Sequence, residues 1–143
     1  MRSGFLTFIS KIEIIDSVIG LVGVLLILSG AIFVQFFYRE TPCPLCLLQR
    51  AAFVSIGLSL LMNLRYGNRV AHWSLAIISG LAGISVSIRQ ILLHITSNQG
   101  FGSPFFGLHM YTWCFIGFAA AILGSAVMLL IYPEKRPGSS ELS

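Results

Sequence analysis

Two of the three cysteines in the chain, Cys43 and Cys46, are separated by a Pro-Leu pair. A structural zinc site needs further ligands, and no second Cys/His pair of matching spacing accompanies this one. A c-type haem attachment needs histidine directly after the second cysteine, where this chain has Leu47. Dithiol–disulfide chemistry remains, with a purely structural disulfide or two small buried residues as the alternatives.

The prolines around this pair predict that it lies at the start of a helix. Pro44 suits the first helical position, and a proline disfavours helix in the residue before it. Cys43 is then expected near the N-cap and Cys46 in the first turn. Unpaired N–H groups and the positive end of the helix dipole stabilise a thiolate there. This position favours redox chemistry over an inert pair.

Two polar residues follow the cysteines along the same predicted helix. Arg50 comes four positions after Cys46, hence on the same face and about 6 Å further along the axis. A guanidinium in hydrocarbon is costly without a partner. It therefore either snorkels to the headgroups or acts as a permanent cation beside a thiolate or a reduced, anionic cofactor. Gln49 can donate a hydrogen bond in the same place, although a polar helix–helix contact explains it equally well.

The composition indicates the kind of molecule that positions these residues. Hydrophobic residues make up 56% of the 143 residues and charged residues 10%, whereas a soluble domain has about 25% charged residues. So little polar surface cannot cover a water-soluble globule, and it also excludes intrinsic disorder. The net charge of +4 comes without a basic cluster that could track phosphates, so nucleic acid is not an expected partner. Membrane lipid is.

Uncharged apolar runs place the membrane spans at about residues 17–38, 45–64, 70–95 and 112–132. The first run is longer than the apolar region of a signal peptide and ends in bulky residues, so we interpret it as a retained span. Turn-forming residues in the segment 96–111 argue against a continuous helix there. We therefore predict an all-α membrane protein, a four-helix transmembrane bundle that forms a single domain over residues 1–143.

The basic residues predict the orientation of this bundle, because Lys and Arg accumulate on the cytoplasmic side of membrane proteins. With four spans, both tails and the second connector lie on one side, which collects Arg2, Lys11, Arg65, Arg69, Lys135 and Arg136. The opposite side has Arg39 in its first loop and no Lys or Arg in its second. Both termini are thus predicted to be cytoplasmic. The cysteine pair then faces outward, where disulfides persist.

Residues 41–50, Thr-Pro-Cys-Pro-Leu-Cys-Leu-Leu-Gln-Arg, resemble the P-C-x-L-C-x-x-x-R signature of the DsbB family. Residues 107–113, Gly-Leu-His-Met-Tyr-Thr-Trp, look like the G-L-x-M-x-x-W stretch of that family. The resemblance covers roughly residues 17–132. Members are quinone-reducing proteins of the bacterial inner membrane that reoxidise periplasmic dithiol oxidases.

This resemblance implies a role for each cysteine. Cys46 would meet the ring of a membrane quinone, either ubiquinone or menaquinone. Cys43 would exchange with a periplasmic thioredoxin-fold thiol oxidase similar to DsbA. Two electrons and two protons would pass from protein thiols to the quinone, with the redox site on the periplasmic side and the thiol exchange proceeding through a mixed disulfide.

Four further residues are candidates for binding the cofactor: Gln49, Arg50, Arg89 and His94. The resemblance implies that Arg50 lies at the quinone. An intramembrane arginine such as Arg89 indicates function by default, although an ion pair or anchor explains it equally well. His94 could shuttle protons because of its pKa, or it could be a hydrogen-bonded histidine at the interface.

The chain departs from the best-known family members in one respect. They carry a second cysteine pair in the second outer loop, which relays electrons from the soluble partner, whereas residues 96–111 contain no cysteine. Either the partner reaches Cys43 directly, or electrons flow in the opposite direction in a thiol reductase or relay. A non-catalytic assembly protein with a structural disulfide is the remaining alternative. Cys114 is either a packing residue or a resolving thiol.

Overall fold

The computed structural model describes residues 2–39, 41, 43–96 and 106–131. These residues form four helices, α1 (Arg2–Tyr38), α2 (Pro44–Tyr66), α3 (Val70–Ile95) and α4 (Met110–Ile131). All four are long and apolar enough to cross a membrane. The predicted all-α class is confirmed, with four helices that could each span a membrane, and the cytoplasmic location of both termini stays a prediction.

Helix α1 begins at Arg2, well before the predicted start of the first span at residue 17. The charged residues Lys11 and Glu13 limit the apolar run without breaking the helix, because both are good helix formers. The predicted interruption before the last span is present at its described end, where Phe106 and Gly107 have φ of 53° and 78°. Residues 97–105 of the predicted loop and residues 132–143 of the tail lie outside the described residues.

Successive helices run antiparallel, which the contacts between α1 and α2 illustrate. Gly20 of α1 lies against Leu60 of α2, and Gly57 of α2 lies against Val24 of α1. A Cβ added at these glycines would come within 2.8 Å and 3.2 Å of those side chains. The ends of α1 and α3 therefore meet the starts of α2 and α4 at one end of the bundle, which carries Cys43 and which we call the cysteine end.

A stacked aromatic pair connects α2, α3 and α4. The rings of Phe53 and Phe118 have centroids 4.0 Å apart and planes 15° apart, and they are 2% and 0% exposed. Gly83 of α3 makes room for this pair, since a Cβ there would lie 2.4 Å from the Phe118 ring. We call Phe53, Gly83 and Phe118 the aromatic layer, because it fixes the relative height of the three helices.

Helix α1 packs mainly on α2 and leaves a cleft between itself and α4. The cleft encloses about 280 Å³. Most of its lining is small or apolar and includes Gly20, Gly23, Ile27, Gly117, Ala121 and Gly124. Asp16 lines it too, with a carboxylate oxygen 4.0 Å from the position of a Cβ on Gly124. The cleft thus extends from the aromatic layer toward the end of the bundle opposite the cysteines.

Polar side chains fix the connector between α2 and α3 at that opposite end. Asn68 donates a hydrogen bond to Glu13 of α1 and accepts one from the Trp73 indole. His72 is buried, and its Nδ1 lies 2.9 Å from Oδ1 of Asn63. The bond to Glu13 ties the connector to α1, and the bond between His72 and Asn63 links α3 to α2 beside it.

Candidate functional site

The two cysteines of the Cys-Pro-Leu-Cys segment lie at the start of α2, as the prolines predict. Cys43 is the N-cap, with φ −67° and ψ 139°, and Pro44 is the first helical residue. The Leu47 N–H donates to the Cys43 carbonyl at 3.1 Å, which closes the first turn around Cys46. The N–H groups at the start of this turn have no acceptor within the helix, and the Cys43 side chain makes no capping hydrogen bond to them.

The Cys46 sulfur has two neighbours, the other thiol of the pair and an amide donor from α3. Cys43 and Cys46 are half-buried thiols that interact with each other. The Gln90 Nε2 of α3 donates to the Cys46 sulfur at 3.6 Å. A donated hydrogen bond favours the thiolate over the thiol. The structure thus places a neutral donor directly at the second cysteine of the pair.

A second glutamine orients this donor. Gln49 Nε2 donates to Oε1 of Gln90 at 3.1 Å and to the Ser87 hydroxyl at 3.0 Å. Gln49 and Gln90 are 3% and 2% exposed. Because the Gln90 oxygen accepts from Gln49, its NH₂ group is directed to the sulfur. Gln49 therefore makes the helix–helix contact that was one of its two predicted roles, and it reaches Cys46 through Gln90.

Arg50 extends from α2 toward α1. Its guanidinium donates to Oε1 of Gln35 at 2.7 Å and to the Ala31 carbonyl at 3.3 Å. Both acceptors are uncharged, so neither neutralises the cation. Arg50 also interacts electrostatically with Cys46. A cation in a low-dielectric site stabilises an anion formed beside it, which is the chemistry that a thiolate needs.

The third cysteine, Cys114, lies at nearly the same height in the bundle as Gln49 and Ser87. Cys114 is one helical turn from Phe118 toward the cysteine end, and Gln49 and Ser87 are each one turn from the aromatic layer in the same direction. Cys114 interacts electrostatically with Cys46. The structure therefore brings all three cysteines of the chain to one end of the bundle.

The remaining two candidates, His94 and Arg89, have different surroundings. His94 Nδ1 lies 2.7 Å from the Gln90 carbonyl oxygen, and its ring stacks on Tyr111 with centroids 5.5 Å apart. His109 stacks on Tyr111 at 5.2 Å as well, and its buried Nδ1 has no hydrogen-bond partner among the described residues. Arg89 is exposed on α3 and does not join the cluster. A role for Arg89 at a cofactor stays a prediction.

Three contributors to the site were missed by sequence reasoning: Gln90, Ser87 and Gln35. Each had a usable signal, because it is a polar residue inside an otherwise apolar run. Gln90 is three positions after Ser87 and seven after Gly83, so helical spacing already placed these residues on one face of α3. Their partners on α2 and α1 depend on the packing of the helices, which spacing within a single helix does not reveal.

Taken together, the arrangement suits thiol–disulfide exchange. The half-buried Cys43 at the N-cap can meet a thiol from outside the bundle. Cys46 has a hydrogen-bond donor and a nearby guanidinium, which partly offset the cost of forming a thiolate at this half-buried position. Cys43, which lies at the N-cap outside the first turn, is therefore suited to be attacked, and Cys46, which has the donor and the cation beside it, is suited to leave.

Comparison with known proteins identifies one family. Residues 17–102, which include Cys43, Cys46 and Arg50 but not α4, match the sequence model of the family described as Disulfide bond formation protein DsbB. The Disulfide bond formation protein B of Cupriavidus necator is 38% identical over 84 residues, or 58% of this chain and 48% of that protein.

Two further relatives have related descriptions. The Disulfide bond formation protein B 2 of Burkholderia lata is 35% identical over 80 residues, or 55% of this chain and 46% of that protein. In these first two alignments the chain spans about half the length of the relative. The Disulfide bond formation protein B of Burkholderia ambifaria is 25% identical over 148 residues, covering 78% of this chain and 86% of that protein. No solved structure matches the chain significantly.

Proposed function

The chain belongs to the DsbB family of disulfide bond formation proteins, and from this membership we propose that it is a membrane thiol oxidase. It takes electrons from a dithiol protein through the Cys43–Cys46 pair and delivers them to a membrane quinone. The observation that carries this proposal is the Cys46 sulfur at a helix start, with the Gln90 donor and the Arg50 guanidinium beside it.

The exchange begins with Cys43 and Cys46 joined as a disulfide. A thiolate of the partner attacks the Cys43 sulfur, the Cys43–Cys46 bond breaks, and Cys46 leaves as a thiolate held by Gln90 and Arg50. The second thiol of the partner then attacks the mixed disulfide, which releases the oxidised partner and leaves Cys43 as a thiol. The two electrons of the partner now reside in the cysteine pair.

The residues around Cys46 fit a quinone. When bound, a quinone would supply an acceptor for two electrons and two protons. Arg50 would hold its head through a charge-assisted hydrogen bond. The apolar cleft between α1 and α4 would take its tail, because Ile27 and Gly117 at the cleft lie just below the level of Arg50 and Cys114. Ubiquinone and menaquinone share this chemistry.

The charge distribution supports an orientation for this reaction. We place the protein in the bacterial inner membrane, with both termini in the cytoplasm and the cysteine end toward the periplasm. The partner is then a periplasmic thioredoxin-fold protein. Because residues 96–111 contain no cysteine, this partner reacts with Cys43 directly rather than through a relay pair.

Quinone reduction by the purified protein tests the proposal. Wild type mixed with a reduced thioredoxin-fold protein and a short-chain ubiquinone analogue is expected to bleach the quinone absorbance, whereas Cys43→Ser and Cys46→Ser are inactive. Ser85→Ala, an exposed change on α3, is the control for handling and retains activity. No bleaching by wild type with several dithiol donors, and with both quinone types, contradicts the proposal.

The absence of the relay pair favours one second candidate, a thiol reductase that runs the same site in the opposite direction. The redox state of Cys43 and Cys46 in cells after quinone depletion separates the two. Accumulation of the reduced pair supports the oxidase, and an unchanged oxidised pair supports the reductase. A scaffold protein with a structural disulfide predicts that Cys43→Ser with Cys46→Ser lowers folding yield without altering oxidation of exported proteins.

A further inference from the structure

Cys114 is a third thiol at the site, contributed by a helix that the family match does not include. It is half-buried, packs against the hydrophobic core and interacts electrostatically with both Cys46 and Arg50. The Arg50 cation is therefore within electrostatic range of two sulfurs from two helices. Cys43 has a different position, since it is the N-cap outside the first turn of α2.

The relative height of Cys46 and Cys114 follows from the aromatic layer. Phe53 and Phe118 stack at one level, Cys46 precedes Phe53 by seven residues, and Cys114 precedes Phe118 by four. At about 1.5 Å of rise per residue the two cysteines differ in height by only about 4–5 Å. Both lie on the faces that carry the stacked rings, because spacings of four and seven return to the same side of a helix.

We propose that Cys114 is an alternative disulfide partner of Cys46, so that the oxidised protein exchanges between a Cys43–Cys46 bond and a Cys46–Cys114 bond. The inference deepens the proposed function and rests on it for its purpose. In this scheme Cys114 replaces part of the relay pair that the second outer loop lacks. Cys46 and Cys114 exchange within the bundle, and only Cys43 reacts with the soluble partner.

The exchange needs no external oxidant. The Cys114 sulfur attacks the Cys46 sulfur of the Cys43–Cys46 disulfide and loses its proton in the exchange. The Cys46–Cys114 bond forms, the Cys43–Cys46 bond breaks, and Cys43 takes up the proton that Cys114 lost. The number of electrons in the three sulfurs is unchanged. The reverse attack by Cys43 restores the Cys43–Cys46 disulfide. A disulfide formed between Cys46 and Cys114 can in this way be converted into the one that oxidises the partner.

The positions of the arginines make this bond measurable by peptide mapping. Cys43 and Cys46 lie together between Arg39 and Arg50, so a bond between them stays within one tryptic peptide. Cys114 lies in a different peptide, which begins after Arg89. A linked pair of these peptides therefore reports a bond to Cys114, in wild type as well as in variants.

The test is to oxidise purified Cys43→Ser, in parallel with diamide and with a short-chain ubiquinone analogue, and to map the peptides without reduction. We expect both remaining thiols to disappear and the two peptides to be linked. Cys46→Ser has the same number of thiols and is the matched control, in which we expect linkage at least tenfold slower because Cys43 is at the cap. Oxidised wild type is expected to contain the linked pair as a minor species.

Two results overturn the inference. One is free Cys46 and Cys114 in Cys43→Ser after either oxidant, together with no linked peptides in oxidised wild type. The other is equally fast linkage in Cys46→Ser, which would make the bond nonspecific. These outcomes differ from failure of the proposed function, because wild type could still reduce quinone without the bond, and diamide could form the bond in a protein that reduces no quinone.

Discussion

Gln90 connects Cys46 to the rest of the bundle. Its oxygen accepts from Gln49 and its nitrogen donates to Cys46, so one amide both closes a buried hydrogen-bond network and supports the sulfur. Buried polar networks are stable when every member is satisfied and are costly when one partner is removed. The stability of the bundle and the reactivity of Cys46 are therefore coupled through a single side chain.

We expect Gln90→Leu to lower the free energy of unfolding by about 1–3 kcal/mol, because Gln49 loses a buried partner. The double variant Gln49→Leu with Gln90→Leu should recover much of this loss, since both polar groups are then gone. Thermal unfolding in detergent measures both effects, with the exposed Ser85→Ala as reference. A single variant as stable as the reference would show that this hydrogen bond contributes nothing.

Arg50 permits a separate prediction about charge. Arg50→Met is expected to raise the apparent KM for a quinone analogue about tenfold, equivalent to about 1.4 kcal/mol. Arg50→Lys keeps the charge, but an ammonium group lacks the planar fork with which Arg50 reaches both Gln35 and Ala31. We therefore expect a KM between those of wild type and the Met variant. Steady-state kinetics at saturating dithiol measure the shift. Unchanged kinetics in the Met variant would reduce Arg50 to a structural link between α2 and α1.

The sequence predicted the positions of the two cysteines better than the hydrogen bonds around them. Cys43 at the cap and Cys46 in the first turn follow from proline positions, which act locally. The partners Gln35 and Gln90 come from two other helices, and their heights depend on how the helices slide against each other. A run of apolar residues indicates that a helix crosses a membrane, but it does not determine the height of that helix relative to its neighbours.

The position of helix α4 depends on glycines of α3. The Phe118 ring occupies the space where Gly83 would carry a Cβ, and Gly80 makes the same kind of room for Ile122. Small residues of this kind allow close approach of helices in membranes. Because Cys114 and Tyr111 belong to α4, this contact sets their height relative to Cys46 and His94.

We therefore expect Gly83→Ala to destabilise the protein by about 1–3 kcal/mol through overpacking. Gly30→Ala is the matched control, since nothing lies within 4 Å of its added Cβ. It should be neutral or stabilising, by up to about 1 kcal/mol of helix propensity. Thermal unfolding of the two variants gives the comparison, and Phe118→Leu in the Gly83→Ala background should restore part of the loss. Equal unfolding temperatures for the two alanine variants would contradict this account of the packing.

The extents of α2 and α3 matched the predicted spans well, whereas α1 did not. Apolar runs bounded by charge define the segment that lipid surrounds, and α2 and α3 end close to those bounds. Helix α1 continues through Lys11 and Glu13 to Arg2, because helical hydrogen bonding does not require an apolar surface. Membrane boundaries and helix boundaries are thus different quantities, and they diverge where a helix leaves the bilayer.

On the scale of the whole molecule, orientation is the property on which the proposed reaction depends. In a variant with all three cysteines replaced by serine, single cysteines at Thr41 and Tyr66 mark the two ends of the bundle, and both positions are exposed. We expect a membrane-impermeant maleimide to label Thr41→Cys in intact spheroplasts and Tyr66→Cys only after permeabilisation. The reverse pattern would place the cysteine end in the cytoplasm and remove the basis for a periplasmic partner.

The carboxylate of Asp16 gives the cleft between α1 and α4 a limited useful length. From Ile27 to Asp16, helix α1 rises about 16 Å, so the isoprenoid tail of a quinone bound as proposed would meet a polar group after that distance. Any longer chain must turn sideways into the surrounding acyl chains, where it gains nothing from the protein. Affinity should therefore increase over the first few isoprene units and then reach a plateau, so among long-tailed quinones the protein would discriminate by the ring and not by tail length.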